Sequence, residues 1–162
     1  MPKGIAINIG LNNVDLAAYP GWSIPKLEGC INDARDMNAM AIGLGYTASI
    51  LTDSQATCSE VSRAIGEAAR ALNSGDICLV TYSGHGGQMP DATGDEPDGQ
   101  DETWILWDRQ LLDDELNGLW STFAAGVRIV VLSDSCHSGT VSRLVSFQRK
   151  FRSAEFAAQY QR

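Results

Sequence analysis

The run Val131-Leu-Ser-Asp134-Ser-Cys136-His-Ser-Gly139 drives a branched apolar segment straight into a cysteine ringed by small polar residues. Earlier in the chain, a second apolar segment over residues 76–82 leads into Ser83-Gly-His85-Gly-Gly87, a histidine set among glycines. A cysteine attacks carbonyl carbon as its thiolate, and a nearby imidazole can take the thiol proton and later give it to the leaving amine. Cys136 is therefore the candidate nucleophile and His85 the candidate general base and acid. Main-chain N–H groups from an expected Gly86-Gly87 turn and from Cys136 itself would stabilise the oxyanion, a role worth about 3–4 kcal/mol per donor. His137 is a competing imidazole, but consecutive side chains near a strand end point in different directions. Ser135 and Ser138 are hydroxyl nucleophiles in principle and lack the G-x-S-x-G setting that exposes such a serine.

This chemistry needs two distant segments side by side. In open α/β sheets, sites form outside the carboxyl ends of the strands, so the segments ending at Tyr82 and Ser133 must be neighbours. The rest of the pattern fits such a sheet. A buried strand is expected over residues 4–10, then a Gly/Pro/Asn loop through Pro25. Cys30, Ala34, Met37, Ala41 and Leu44 recur at helical spacing before Gly43 and Gly45, giving a first helix with one apolar face. A short strand is expected over 47–51. Thr57-x-x-Glu60 has the spacing of a capping box for a second helix, whose stripe is Val61, Ala64, Ile65, Ala68 and Leu72.

A long acidic loop is expected over 88–102, then a short strand over 103–107 and a third helix with Leu112, Leu116, Leu119 and Phe123 on one face. The fourth main strand covers 127–133. Strands that are apolar without alternation, interleaved with amphipathic helices, predict a mostly parallel sheet with helices on both faces.

The chain has 162 residues, enough for one domain with a substantial core. Its net charge of −8 argues against nucleic acid or an anionic membrane as partner, since both need clustered Lys and Arg; a cationic partner or a metal ion suits it better. No apolar run approaches a bilayer span, and the start lacks a signal-peptide core, so a cytoplasmic location is expected. Cys30, Cys58, Cys78 and Cys136 show no C-x-x-C pairing, which predicts free thiols.

Five ordered stretches carry a resemblance: Leu27-Glu-Gly-Cys30-Ile-Asn-Asp33-Ala, Tyr82-Ser-Gly-His85-Gly, the D-G-x-D-E of residues 98–102, Asp113-Asp114-Glu115-Leu116, and Asp134-Ser-Cys136-His-Ser-Gly. Together they resemble the large catalytic subunit of bacterial and type I-like metacaspases, cysteine peptidases of the caspase fold. The resemblance covers about residues 4–140 and implies a caspase-like α/β sandwich; the domain is read as residues 1–145, and the polar composition of 146–162 predicts a tail or linker, at most partly helical. The resemblance also implies peptide-bond hydrolysis by a His85/Cys136 dyad. By position, Cys30, Asp33, Ser83 and Asp134 would line the pocket for the residue before the scissile bond. Two carboxylates there favour a guanidinium or ammonium, so the implied substrate is a peptide cleaved after Arg or Lys.

Many metacaspases need calcium, and by position its ligands here would be Asp101, Asp113 and Asp114; no organic cofactor is implied. Where the family has a further aspartate this chain has Arg143, a cation in place of a ligand. Without a metal, the acidic stretch is a solvated loop. The family domain also continues with a small subunit that completes the cleft, implying a further segment or second chain as partner. The alternative to a peptidase is an inactive caspase-fold module that binds a partner or acts as a scaffold.

Overall fold

The computed structural model describes residues 2–90 and 100–137. In chain order the elements are β1 (Gly4–Gly10), α1 (Cys30–Gly43), β2 (Thr47–Thr52), α2 (Cys58–Ala71), β3 (Ile77–Pro90), β4 (Gln100–Ile105), β5 (Gln110–Leu112), α3 (Asp113–Trp120) and β6 (Arg128–His137). β2, β1, β3 and β6 lie side by side in that order, all parallel. At Gly86 the strand β3 pairs with His137 of β6 on one edge and with Trp104 of β4 on the other. The antiparallel β4–β5 hairpin therefore sits on the β1 side of β3, beyond the end of β1.

Residues 6 to 9 of β1 are all buried, because both faces of the sheet are covered. Successive side chains of a strand point to opposite faces, so the register sorts them. Ile7 and Ile9 share a face with Cys78, Val80 and Tyr82, and this set joins Val61, Ile65 and Ala68 of α2 and Leu116 of α3 in one apolar cluster. Asn8 and Gly10 share the other face with Thr81 and Ser83, and α1 lies there. Gly10 is what lets α1 sit so close. A Cβ at that position would collide with the carbonyl oxygen of Cys30 and come within 2.8 Å of Ala34 Cβ. The mostly parallel sheet with helices on both faces is as expected.

Of the expected capping box one half is present: Thr57 Oγ1 accepts from the Glu60 N–H at 3.2 Å and starts α2, while the Glu60 carboxylate pairs with Arg63. α1 ends at Gly43, and Gly45 takes a φ of +85°, a conformation that favours glycine. The apolar face of α1 is only partly used: Cys30, Ala34 and Ala41 are buried, Met37 is half-buried and Leu44 is exposed.

Four expectations need correction. β3 does not stop at Tyr82 but runs on to Pro90, so Gly86 and Gly87 form no turn. None of the glycines at 84, 86 and 87 has a positive φ; Gly84 and Gly87 are there for close contact. A Cβ on Gly84 would meet the Tyr82 hydroxyl at 2.6 Å, and one on Gly87 would meet Gln110 Oε1 at 2.6 Å and Thr103 Oγ1 at 2.9 Å. β4 begins at Gln100 rather than at residue 103, which shortens the acidic loop from both sides. A short strand, β5, contains Leu112, and α3 ends at Trp120, before Phe123. β6 continues past Ser133 to His137. The polar tail expected over 146–162 lies outside the described residues, and no described helix is long and apolar enough to cross a membrane.

Candidate active site

The ladder between β3 and β6 sets Ser83 opposite Asp134, Gly84 opposite Ser135 and His85 opposite Cys136. By alternation, positions 83, 85, 134 and 136 fall on the α1 face and positions 82, 84, 133 and 135 on the other. The two reactive residues are thus nearest neighbours across adjacent parallel strands, about 4.8 Å apart in the pairing direction. Cys136 is described by its backbone. His137, the competing imidazole, occupies the alternate register position, opposite Gly86.

The imidazole of His85 has a second anchor. Its Nε2 lies 2.7 Å from the carbonyl oxygen of Pro25. A carbonyl can only accept, so this contact makes Nε2 the protonated nitrogen and leaves Nδ1 with the lone pair. Pro25 belongs to the long segment between β1 and α1, which is tied down at several points. Asp53 Oδ1 accepts from the N–H groups of Asn12 and Asn13 at 2.8 and 3.0 Å. Leu27 N–H donates to the Asn12 carbonyl, and Asp15 N–H donates to the Trp107 carbonyl, each at 2.9 Å. The Tyr19 hydroxyl donates to the Leu106 carbonyl at 2.6 Å. Asn12 Oδ1 accepts from Ile31 N–H at 3.3 Å, serving the first turn of α1 where Gly29 has no side chain to cap it.

The four residues expected to line the specificity pocket come together beside this centre. Ser83 Oγ donates to Asp33 Oδ2 at 2.8 Å across the gap between β3 and α1. Cys30 and Ser83 are buried, whereas Asp33 and Asp134 are exposed. The Cys30 thiol is pushed up, chiefly by burial, and both the Asp33 and Asp134 carboxylates add to the rise while a hydrogen bond to Ser83 opposes it. One thiol thus senses both acids. The arrangement sets two exposed carboxylates around a buried thiol and a buried hydroxyl.

Behind the ladder lies a network that the sequence did not single out. The buried Tyr82 hydroxyl curls beneath Gly84, with its one proton shared between the carbonyls of His85 at 2.7 Å and Ile105 at 3.0 Å. Its ring stacks on Trp104 with centroids 4.6 Å apart and an interplanar angle of 7°. Trp104 Nε1 donates to Ser133 Oγ at 3.1 Å, and Ser133 Oγ lies 3.1 Å from Ser135 Oγ. This set joins β3, β4 and β6 directly underneath the His85–Cys136 pair. Ser135, considered as a nucleophile, is instead part of this rear network.

For the acidic residues, the β4–β5 register is informative. Thr103 pairs with Leu112, so position 101 falls near the start of α3, where Asp113 and Asp114 stand. Asp113 Oδ1 accepts from the Asp114 N–H at 3.0 Å. Among the described residues no group of three ligating side chains is assembled; the side chain of Asp101, together with Asp95, Glu96, Asp98 and Arg143, lies outside them. The donor set itself, carboxylate oxygens, suits a hard cation. Cys30, Cys58 and Cys78 are free thiols, as expected.

The family model described as metacaspase, peptidase C14 domain, matches residues 5–145. Metacaspase-1 of Saccharomyces cerevisiae is 38% identical over 151 residues, covering 84% of this chain and 33% of that protein. Metacaspase-4 of Arabidopsis thaliana is 34% identical over 145 residues, covering 83% and 33%. A crystal structure of a Geobacter sulfurreducens protein superimposes with a TM-score of 0.78 and 56% identity, over 86% of this chain and 53% of that one. The chain therefore spans about a third of the length of the curated relatives it matches. With the family model covering most of the sheet and the order of the motifs matched by the order of the strands that carry them, this chain belongs to the metacaspase family.

Proposed function

We propose that the domain is the catalytic part of a cysteine endopeptidase that cleaves after Arg or Lys. The observation that carries the reading is the register pairing of His85 with Cys136, together with a Pro25 carbonyl that fixes the imidazole tautomer. Nδ1 takes the Cys136 proton, and the thiolate attacks the carbonyl carbon of the scissile bond. The N–H groups of Cys136 and Gly86 stabilise the oxyanion that forms. The imidazolium, its charge eased by the Pro25 carbonyl, protonates the departing amine, and water then releases the acyl group from sulfur. Asp33 and Asp134 hold the basic side chain of the residue before the bond, with Ser83 keeping Asp33 in place.

Asp101, Asp113 and Asp114 are the residues that would hold a calcium ion, which would screen the mutual repulsion of these carboxylates. β6 pairs only with β3 among the described residues, which makes its outer edge the natural place for a further strand that closes the cleft.

The test uses the full-length protein and a peptide amide ending in Arg-aminocoumarin, with and without calcium. Wild type should release the fluorophore, while Cys136→Ala and His85→Ala should each lose at least about 1,000-fold in kcat/KM. Asp134→Asn should narrow the preference for Arg over a neutral isostere. Turnover that survives Cys136→Ala would end the assignment.

A further inference from the structure

On the α1 face, His85 is followed along β3 by Gly87 and Met89. Past this point lies a cleft of about 350 Å3 lined by Tyr19, Trp22, Met89, Arg109, Gln110 and Leu112. Trp22 is 47% exposed and Met89 is 36% exposed, whereas Tyr19 is buried. Trp22 packs edge-on against Tyr19, with ring centroids 6.2 Å apart at 62°. Arg109 is the cation on the wall, but both its terminal nitrogens bind the Glu115 carboxylate at 2.8 Å and one also donates to the Gln110 carbonyl at 2.8 Å. Its charge is paired with Glu115, both side chains being half-exposed, and the rest of the cleft offers aromatic and thioether surface.

We propose that this cleft binds an apolar side chain of the substrate on the amine side of the scissile bond. The inference rests on the His85/Cys136 reading and extends it to the part of the substrate that leaves first. Carboxylate pair, reacting centre and cleft stand in a line on one face of one strand, at Ser83, His85 and Met89. The residue before the bond sits against the carboxylates beside Ser83. His85 must deliver its proton to the leaving amine, so the departing segment passes the imidazole and continues toward Gly87 and Met89.

Those two positions lie about 7 and 13 Å beyond His85 at the usual strand rise, and an extended substrate advances by the same amount per residue. The cleft therefore meets the second to fourth residues after the bond. Gln110 forms its near wall, over Gly87. The segment that carries Trp22 also carries Pro25, which holds His85, so cleft and centre share one wall. A ring or branched aliphatic chain fits this surface, since burial against exposed Trp22 and Met89 removes apolar area from water on both sides.

The test compares the full-length protein on two substrates: the Arg-aminocoumarin amide, which has no residues after the bond, and an extended peptide with Phe or Leu second after Arg. Trp22→Ala and, separately, Met89→Ala should lower the ratio of kcat/KM for the peptide to that for the amide by about tenfold, the scale on which apolar pockets discriminate. Replacing the Phe or Leu by Ser should lower the wild-type ratio similarly. An unchanged ratio in both variants, with the amide still hydrolysed, overturns the cleft assignment alone. Failure of wild type to hydrolyse the amide overturns the dyad reading and this inference with it. A shift in sedimentation with a flat ratio would give the cleft to a second copy of the chain and also overturn it.

Discussion

The two faces of the sheet differ in kind. On one, α2 and α3 bury a continuous apolar cluster from Ile7 and Ile9 through Val80 and Tyr82 to Ile65 and Leu116. On the other, α1 covers β1 and part of β3, and the small apolar residues Ala6, Ala34 and Ala41 are interleaved there with buried polar ones. Asn8 accepts from Thr81 Oγ1 at 3.0 Å and donates to the Ser49 carbonyl at 3.1 Å, and Ser83 reaches Asp33. Toward β6 this face is half open, with Val130 and Leu132 only partly covered and Asp134 exposed. The same strands serve both faces because alternation lets neighbouring residues have unrelated duties. Hydrophobic burial on one side holds the frame, and the polar side is free to hold groups whose burial would be costly without partners.

The comparison would be sharpened first by Ile65→Ala, which removes fully buried atoms from the α2 side. It should cost about 2–5 kcal/mol in denaturant unfolding, with kcat of the surviving folded protein little changed. Asn8→Ala acts on the polar side and leaves the Thr81 hydroxyl and the Ser49 carbonyl short of a partner. A loss of about 1–3 kcal/mol is expected in the same measurement; no loss would mean that this layer contributes little to stability.

Tyr82→Phe is the substitution that could break the separation of faces. The ring keeps its stack on Trp104, and only the hydroxyl that holds the His85 carbonyl from behind is lost. Stability should fall by about 1 kcal/mol, but kcat should fall by about tenfold with KM held. An unchanged kcat would confine Tyr82 to the frame.

The last effect is alkaline. Burial pushes the Cys58 and Cys78 thiols up to about 12 from 9.0. Their folded values lie above the unfolded one, so their contribution is fully present below about pH 9 and is lost as pH rises toward 12. The urea midpoint should decline over that window, and Cys78→Ala should flatten the decline.

Much of this frame was legible because the signals were local. The Thr57/Glu60 cap, the stripe of α2 and the apolar strand of β1 each depend on residues within a few positions of one another. The elements misread were those decided at a distance. Gly84 and Gly87 look like breakers in a linear reading, yet β3 passes straight through them because Tyr82 and the Thr103/Gln110 pair occupy the space their side chains would need. β5 has three residues and exists only as the partner of β4. In the site, His85 and Cys136 stood out as reactive residue types at two expected strand ends, whereas Cys30, Asp33, Ser83 and Asp134 could be pointed to only through the resemblance to the family. Pro25 could not, since a main-chain carbonyl has no residue type to betray it. Tyr82 and Trp104 read simply as apolar filling.

Because one unbroken strand bears Ser83, His85 and Met89 on one face, β3 works as a graduated rule whose marks are two residues apart. Adding a single residue between Ser83 and His85 would turn the imidazole toward the apolar cluster and swap the duties of everything beyond it. Adding two would restore the orientation but carry His85 about 7 Å past its partner on β6. Substitutions in this interval can be graded in effect; changes in its length cannot.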